Sequence, residues 1–365
     1  DNALRDFELS GIALSSEKKA RFKEIKARLS TLSSLFSNNV LDATSGWYKH
    51  LEDDQRLVGL PEFLIEGAKA AAQAKDLDGY VLTLDLPVYF TLMSQADDRE
   101  LRKEMYLAYC TRASAEGPTA GQWDNTAVIE EILALKQEQA KLLGYANYAE
   151  VSTASKMAES PEMVIEFLQQ LADKTRPFAE AELAELRGFA IETGALGGEQ
   201  AAGAELEAWD VPYLSEKLKL AKYSISQEQL RPYFPIDVVR QGLFRVAKSL
   251  YNIDIKPVQD VELWHEAAEY YEIYRNEQKI AGFYLDLYAR ERKRGGAWMD
   301  DCRVRRRQGE QLAVGEVLVV HVIVHRARGR KFLVHRLRHN AAVANLPHLH
   351  EGVGPHLVQG LLMLG

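Results

Sequence analysis

Gly282-Phe-Tyr-Leu-Asp-Leu-Tyr-Ala-Arg-Glu-Arg-Lys-Arg-Gly-Gly-Ala-Trp-Met-Asp-Asp-Cys302 begins as one kind of structure and ends as another. Aromatic and polar residues alternate as far as Tyr288, the two-residue period of a pleated strand. Arg290, Arg292, Lys293 and Arg294 then crowd together before Gly295-Gly296, which reads as a basic loop hinged on glycine. Upstream, Tyr270-Tyr-Glu-Ile-Tyr-Arg275 alternates in the same way, and Asn276-Glu-Gln-Lys279 separates it from Ile280–Tyr288. Two alternating runs around a short polar turn predict a hairpin. Tyr270, Tyr271, Tyr274, Tyr284 and Tyr288 are then cross-strand packing partners rather than a ligand-stacking platform.

The rest of the body is patterned for helix. Phe22, Ile25, Leu29, Leu32 and Phe36 recur at three- and four-residue steps among charged residues. They predict one amphipathic helix from about Ser15-Ser16 to about Asn38-Asn39. A second helix is expected over Ala127–Leu143, ended by Gly144. Ser160-Pro161-Glu162 marks a third start: a capping hydroxyl, a proline whose missing N–H costs nothing there, and an acid near the positive helix end. Val164, Phe167, Leu168 and Leu171 should supply its buried face. Glu116-Gly117-Pro118 reads as a turn, and Gly194–Gly203, rich in small residues, as an exposed mobile loop.

Composition sets the outer bounds. The 365 residues carry a formal net charge of -8, with 47% apolar and 27% charged residues, ordinary for a soluble globular chain. Such an acidic balance argues against general affinity for nucleic acid, which needs a concentrated cationic face. No apolar run approaches the ~18 residues of a membrane-spanning helix, so no membrane partner is expected. Cys110 and Cys302 make no disulfide framework and suit a reducing, cytoplasmic compartment; both read as buried or idle thiols. The chain begins at Asp1 and has no secretory leader pattern, so it is expected to be a fragment of something larger.

Several segments together resemble one family. Leu4-Arg-Asp-Phe-Glu-Leu-Ser-Gly11, Ser37-Asn-Asn-Val-Leu-Asp-Ala-Thr44, Thr111-Arg-Ala-Ser114 and Lys156-Met-Ala-Glu159 are similar to segments of bacterial oligopeptidase A and its thimet oligopeptidase relatives, a family of zinc metallopeptidases. So are Trp209-Asp210, Tyr223-Ser-Ile-Ser226, Leu230-Arg-Pro-Tyr-Phe-Pro235 and the opening stretch Gly282–Cys302. They occur in family order over roughly residues 3–302. The resemblance implies a mainly α fold, a helical two-lobed body, incomplete here, with a small β-hairpin or sheet near residues 270–290. It implies a channel that admits short unstructured peptides. It divides the chain into 1–260, a helical region, 261–302, the start of the catalytic core with the hairpin, and 303–365, an anomalous tail.

Family chemistry uses zinc held by both histidines of His-Glu-x-x-His and by a later Glu. The i, i+4 spacing puts two imidazoles on one helix face, with Glu between them as base. That motif is nowhere in this sequence. No catalytic, metal-ligating or cofactor-binding residue can therefore be assigned. The chain is expected to bind no zinc specifically and to be inactive as written, a fragment of a metalloendopeptidase. The alternative is a non-catalytic helical module for peptides or a protein partner. Apolar helix faces left uncovered should promote self-association. The basic loop Arg290–Gly296 reads as structural or channel-lining rather than as an anion site. His50 and His265 read as satisfied histidines.

Residues 303–365 hold nine Arg and one Lys against three Glu, a net charge of +7, and seven of the nine histidines follow residue 320. Three readings stand: a wrong-frame translation of GC-rich DNA, a divergent exposed or partly disordered segment, or a histidine-rich metal site. His321/His325 and His335/His339 have two-ligand helical spacing, with His348, His350, Glu351 and His356 nearby. Yet no Glu follows the first His of either pair, and the valines around His321 favour a strand, where an i, i+4 pair lies ~13 Å apart. The out-of-frame reading fits the composition best. Sequencing the coding DNA well past codon 302 should then reveal another frame that continues the family pattern into His-Glu-x-x-His; a confirmed tail and stop codon would remove that reading.

Overall fold

A computed structural model describes residues 2–196, 206–290, 293, 296–304, 306–308, 311–313 and 315–323. In chain order the helices are α1 (Asn2–Leu9), α2 (Ser16–Gly46), α3 (Glu62–Gln73), α4 (Leu86–Gln95), α5 (Arg99–Cys110), α6 (Thr126–Leu142), α7 (Tyr148–Thr153), α8 (Pro161–Thr193), α9 (Val211–Tyr223), α10 (Gln227–Leu230) and α11 (Ile236–Tyr251). The strands are β1 (Tyr48–Leu51), β2 (Tyr80–Thr83), β3 (Asp254–Val258), β4 (Ala268–Arg275), β5 (Gln278–Tyr288), β6 (Trp298–Arg303), β7 (Arg306–Gln308), β8 (Gln311–Ala313) and β9 (Gly315–Ile323). The fold is mainly α with small sheets. Two compact units interleave along the chain, one of residues 1–49 and 96–218, the other of 50–95 and 219–365.

In the first unit α2 lies antiparallel to α6. Arg21 donates to both carboxylate oxygens of Glu138, at 2.7 and 2.8 Å, and Arg28 to both of Glu131, at 2.6 and 2.7 Å. The pairs are seven residues apart on each helix, two turns along one face. Phe22, Ile25 and Leu32 are buried as the spacing predicts, but the helix does not stop at Asn38-Asn39. It runs to Gly46, because Asn39 donates to Asn125 Oδ1 (2.9 Å) and Asn125 donates to the Phe36 carbonyl (3.2 Å). The asparagine is used for a tertiary contact, and Ala43 extends the buried stripe.

α6 spans nearly the expected residues, and Gly144 follows it at φ +87°, a left-handed position that favours glycine. α8 starts where expected, with Ser160 Oγ accepting from the Met163 N–H at 3.2 Å. Its C-terminal half packs Leu186 and Ala190 against Tyr213 and Leu214 of α9. The face expected to be buried in its N-terminal half is open instead. Phe167 is 63% exposed, and Val164, Leu168 and Leu171 are exposed with it. Correct periodicity identified an apolar face, but no described element of the first unit covers it. The turn at Gly117 is present (φ +80°), and of the loop Gly194–Gly203, residues 197–203 lie outside the described set.

The second unit contains the ribbon of β1 and β2 and a five-stranded sheet ordered β3-β4-β5-β9-β6. The hairpin is tighter than expected. Asn276 and Glu277 alone form its loop, both at positive φ (47° and 63°), as a type I′ turn requires. The register places Tyr270 opposite Tyr284 and Tyr271 opposite Phe283, with ring centroids 4.6 and 5.2 Å apart. Tyr271 and Phe283 face α11, where Phe244 meets both rings edge-on. Tyr270 crosses Gly282 so closely that a Cβ there would lie 2.2 Å from its hydroxyl. β9 runs parallel to β5 and antiparallel to β6, so His321 falls on a strand, as its valine neighbours predict.

One buried cluster organises the first unit. Asp210, just before α9, is fully buried and accepts from Arg99 (2.9 and 2.7 Å) and Arg102 (3.2 Å). Arg102, also fully buried, donates further to the Ala96, Asp97 and Trp209 carbonyls and stacks on Tyr213. Removing one partner strands a buried charge, so Asp210→Ala should cost about 3–5 kcal/mol in urea unfolding followed by circular dichroism. An unchanged midpoint would show that the cluster is dispensable.

Candidate functional site

The segment carrying the strongest family signature closes into a second buried charge cluster at the end of β5. Alternation puts Tyr284 and Asp286 on the sheet face turned away from α11. There Trp264 packs against Tyr284, with centroids 5.3 Å apart, and its indole N–H donates to Asp286 Oδ2 at 3.0 Å. Arg290 donates to both carboxylate oxygens at 2.9 Å, and Lys293 Nζ donates to Oδ1 at 2.9 Å. Lys293 also reaches the Asp286 and Tyr288 carbonyls, at 3.0 and 2.8 Å. Asp286 is 1% exposed.

Burial alone would raise the Asp286 pKa. The bonds from Arg290, Lys293 and Trp264 outweigh it and hold the carboxyl far below the usual carboxylate range. Burial also pulls the Lys293 ammonium below its ordinary value, against the attraction of Asp286. Each Asp286 oxygen accepts two bonds, so the group is an anchor rather than a proton acceptor. What it anchors is the basic loop: the described cations Arg290 and Lys293 turn inward onto the sheet instead of presenting an anion site. Only the hydrogen-bond donors clustered after β5 hinted at this in the sequence.

The same face carries a second polar line. Glu272 is bonded by Lys279 and Tyr274, which keeps its carboxyl below the ordinary range. Towards α11, Glu269 receives Arg240 and Tyr271, and burial followed by the Glu269 bond pushes the Tyr271 hydroxyl up strongly.

Two histidines have described side chains, and each meets a backbone group. His50 Nε2 donates to the Asp78 carbonyl at 2.7 Å. His265 Nδ1 accepts from the Ala267 N–H at 3.0 Å. His265-Glu-Ala-Ala-Glu269 differs from His-Glu-x-x-His at one position, yet it lies in a turn entering β4, not on a helix. Among the described residues no group of three or more His, Cys, Asp or Glu could hold a metal ion. The described residues therefore do not fit a zinc site. His325, His335, His339, His348, His350, Glu351 and His356 lie outside the described residues. Neither Cys110 nor Cys302 is in a disulfide, and both are exposed rather than buried. Among the described residues no helix is long and apolar enough to cross a membrane.

Because its folded pKa is depressed, Asp286 contributes stability that is complete above the unfolded carboxylate value, ~3.9, and is lost as pH falls through the folded value. Asp286→Asn should lower stability at pH 7 and flatten the loss between about pH 5 and pH 2. Urea midpoints across that range read both effects, and parallel acid slopes in the two proteins would contradict the assignment.

A profile of peptidase family M3 matches residues 92–329. Oligopeptidase A of Escherichia coli is 54% identical over 311 residues, 85% of this chain and 45% of that protein. Oligopeptidase A of Haemophilus influenzae is 50% identical over 310 residues, covering 84% of this chain and 44% of that protein. Dipeptidyl carboxypeptidase of Escherichia coli is 30% identical over 281 residues, 76% and 40% of the two chains. The chain thus spans less than half the length of these relatives, and the family match enters residues 303–329 of the tail. With a profile match over more than half of its residues and relatives 30–54% identical over at least three quarters of it, the chain belongs to peptidase family M3.

Proposed function

We propose that these residues are the scaffold part of a zinc-dependent oligopeptidase that hydrolyses internal bonds of short, unstructured peptides. The chain alone does not cleave them. What supports the first half is 54% identity to an oligopeptidase A spread over 311 residues. What supports the second is chemical: peptide hydrolysis of this family's kind needs ligands and a base at helical spacing, and no His-Glu-x-x-His occurs in the sequence. Two exposed cysteines outside any disulfide accord with a reducing, cytoplasmic location.

Internally quenched peptides of about ten residues or fewer, offered with added zinc, should be turned over at least about a thousandfold more slowly than by Escherichia coli oligopeptidase A. Turnover that co-elutes with the chain and is abolished by a chelator would overturn this. Fluorescence anisotropy on the same peptides separates the remaining alternative: saturable binding unaffected by the chelator is the behaviour of a non-catalytic peptide-binding module.

A further inference from the structure

Among the described residues β6 is an outer strand of the five-stranded sheet, paired with β9 on one side only. An outer strand offers its remaining N–H and C=O groups to any strand that can lie beside it. The opposite edge is poorly suited to this, because β3 carries Pro257, which has no N–H to give. β6 has no proline and is exposed from Asp300 onward, as is Val304 just after it, to 65%. Its sequence Met299-Asp-Asp-Cys-Arg-Val304 is complementary to itself when reversed: methionine meets valine, and an acid meets a base.

Simple alternation would put Asp300 and Arg303 on opposite faces of the strand, where a second copy could not match them. The ladder with β9 removes that obstacle. Asp300 stands opposite Leu318 and Asp301 opposite Val317, but Arg303 stands opposite Glu316. Cys302 is therefore the extra residue of a bulge, and it returns Arg303 to the face of Asp300. Val304, one residue on, shares a face with Met299. Two adjacent acids on an edge ordinarily repel a second strand; this register sets arginine against one of them. In the single chain Asp300 Oδ1 accepts from the Asp301 N–H at 2.9 Å, a local contact that a cation across the edge can replace. We propose that β6 is a self-pairing edge, at which two copies of this chain join their sheets through antiparallel residues 299–304. The two-fold axis stands perpendicular to the sheet between Asp301 and Cys302. Asp300 of each copy then faces Arg303 of the other, and Met299 faces Val304.

Sedimentation velocity of the full 365-residue chain should show a monomer–dimer equilibrium that moves with concentration. Asp300→Arg alone and Arg303→Asp alone each set like charges opposite one another at two symmetric contacts, and each should weaken the dimer at least about tenfold. An equimolar mixture of the two variants should recover it, because the mixed dimer has opposite charges at both contacts. The axis also brings the two copies of Cys302 to about 6 Å between Cα atoms, within disulfide reach. Diamide, which takes up the two thiol hydrogens as the S–S bond forms, should link the natural chain into a covalent dimer, and Cys302→Ser should abolish the link. All three positions are exposed, so the far-ultraviolet circular dichroism of each variant should match that of the natural chain. A chain that stays monomeric at every concentration would overturn the proposal. So would a dimer that both charge reversals leave intact, the behaviour of association through apolar helix faces, or a mixture that associates no better than either variant alone.

Discussion

A carboxylate taken out of water costs several kcal/mol unless cations and N–H donors go with it, and each unit of this protein is organised around one such group. Asp210 draws in Arg99 and Arg102, more than a hundred residues earlier in sequence. Asp286 draws in Trp264 from before β4 and Arg290 and Lys293 from after β5. In both cases two cations meet one acid, and backbone carbonyls take the remaining donors. The geometry admits few alternatives: moving α9 relative to α5, or the basic loop relative to the sheet, would leave a charge buried and unpaired. Apolar packing makes these units compact, and the charge clusters fix which segments must meet.

The second cluster also explains why Arg290 and Lys293 do not form a binding patch. Considered one residue at a time, Arg290, Arg292, Lys293 and Arg294 look like a cationic surface. In the fold, Arg290 and Lys293 are partners of Asp286. The aromatic residues follow the same logic. Tyr271 and Phe283 pack on each other and against Phe244, joining the sheet to α11, while Tyr270 and Tyr284 pair on the opposite face.

Local signals were legible in the sequence because their causes are local. The Ser160 cap, the end of α6 at Gly144 and the alternation in β4 and β5 depend on residues within a few positions of one another. The structure departs from the sequence reading where a distant partner decides. α2 continues past Asn39 because Asn125 takes its side chain. The N-terminal half of α8 is exposed although its pattern is apolar, because periodicity shows that a face is apolar but not which segment covers it. The ribbon of β1 and β2 escaped notice because strands of four residues carry too little pattern. The Asp286 cluster was hidden for a different reason: a charge-rich loop looks the same in sequence whether its cations face water or a buried acid.

Family membership and chemistry are therefore carried by different parts of this architecture. Identity to oligopeptidase A extends over 311 residues, 85% of this chain. The zinc chemistry proposed for the intact protein needs a few groups at helical spacing, and the His265–Glu269 segment illustrates how demanding that is. It supplies a histidine and two glutamates, one residue short of His-Glu-x-x-His. Its backbone turns into a strand, His265 is engaged with the Ala267 N–H, and Glu269 is engaged with Arg240 and Tyr271. On a strand, residues four apart are too far separated to share an ion. The second histidine is missing there, and so is the helix that would make such a set a site.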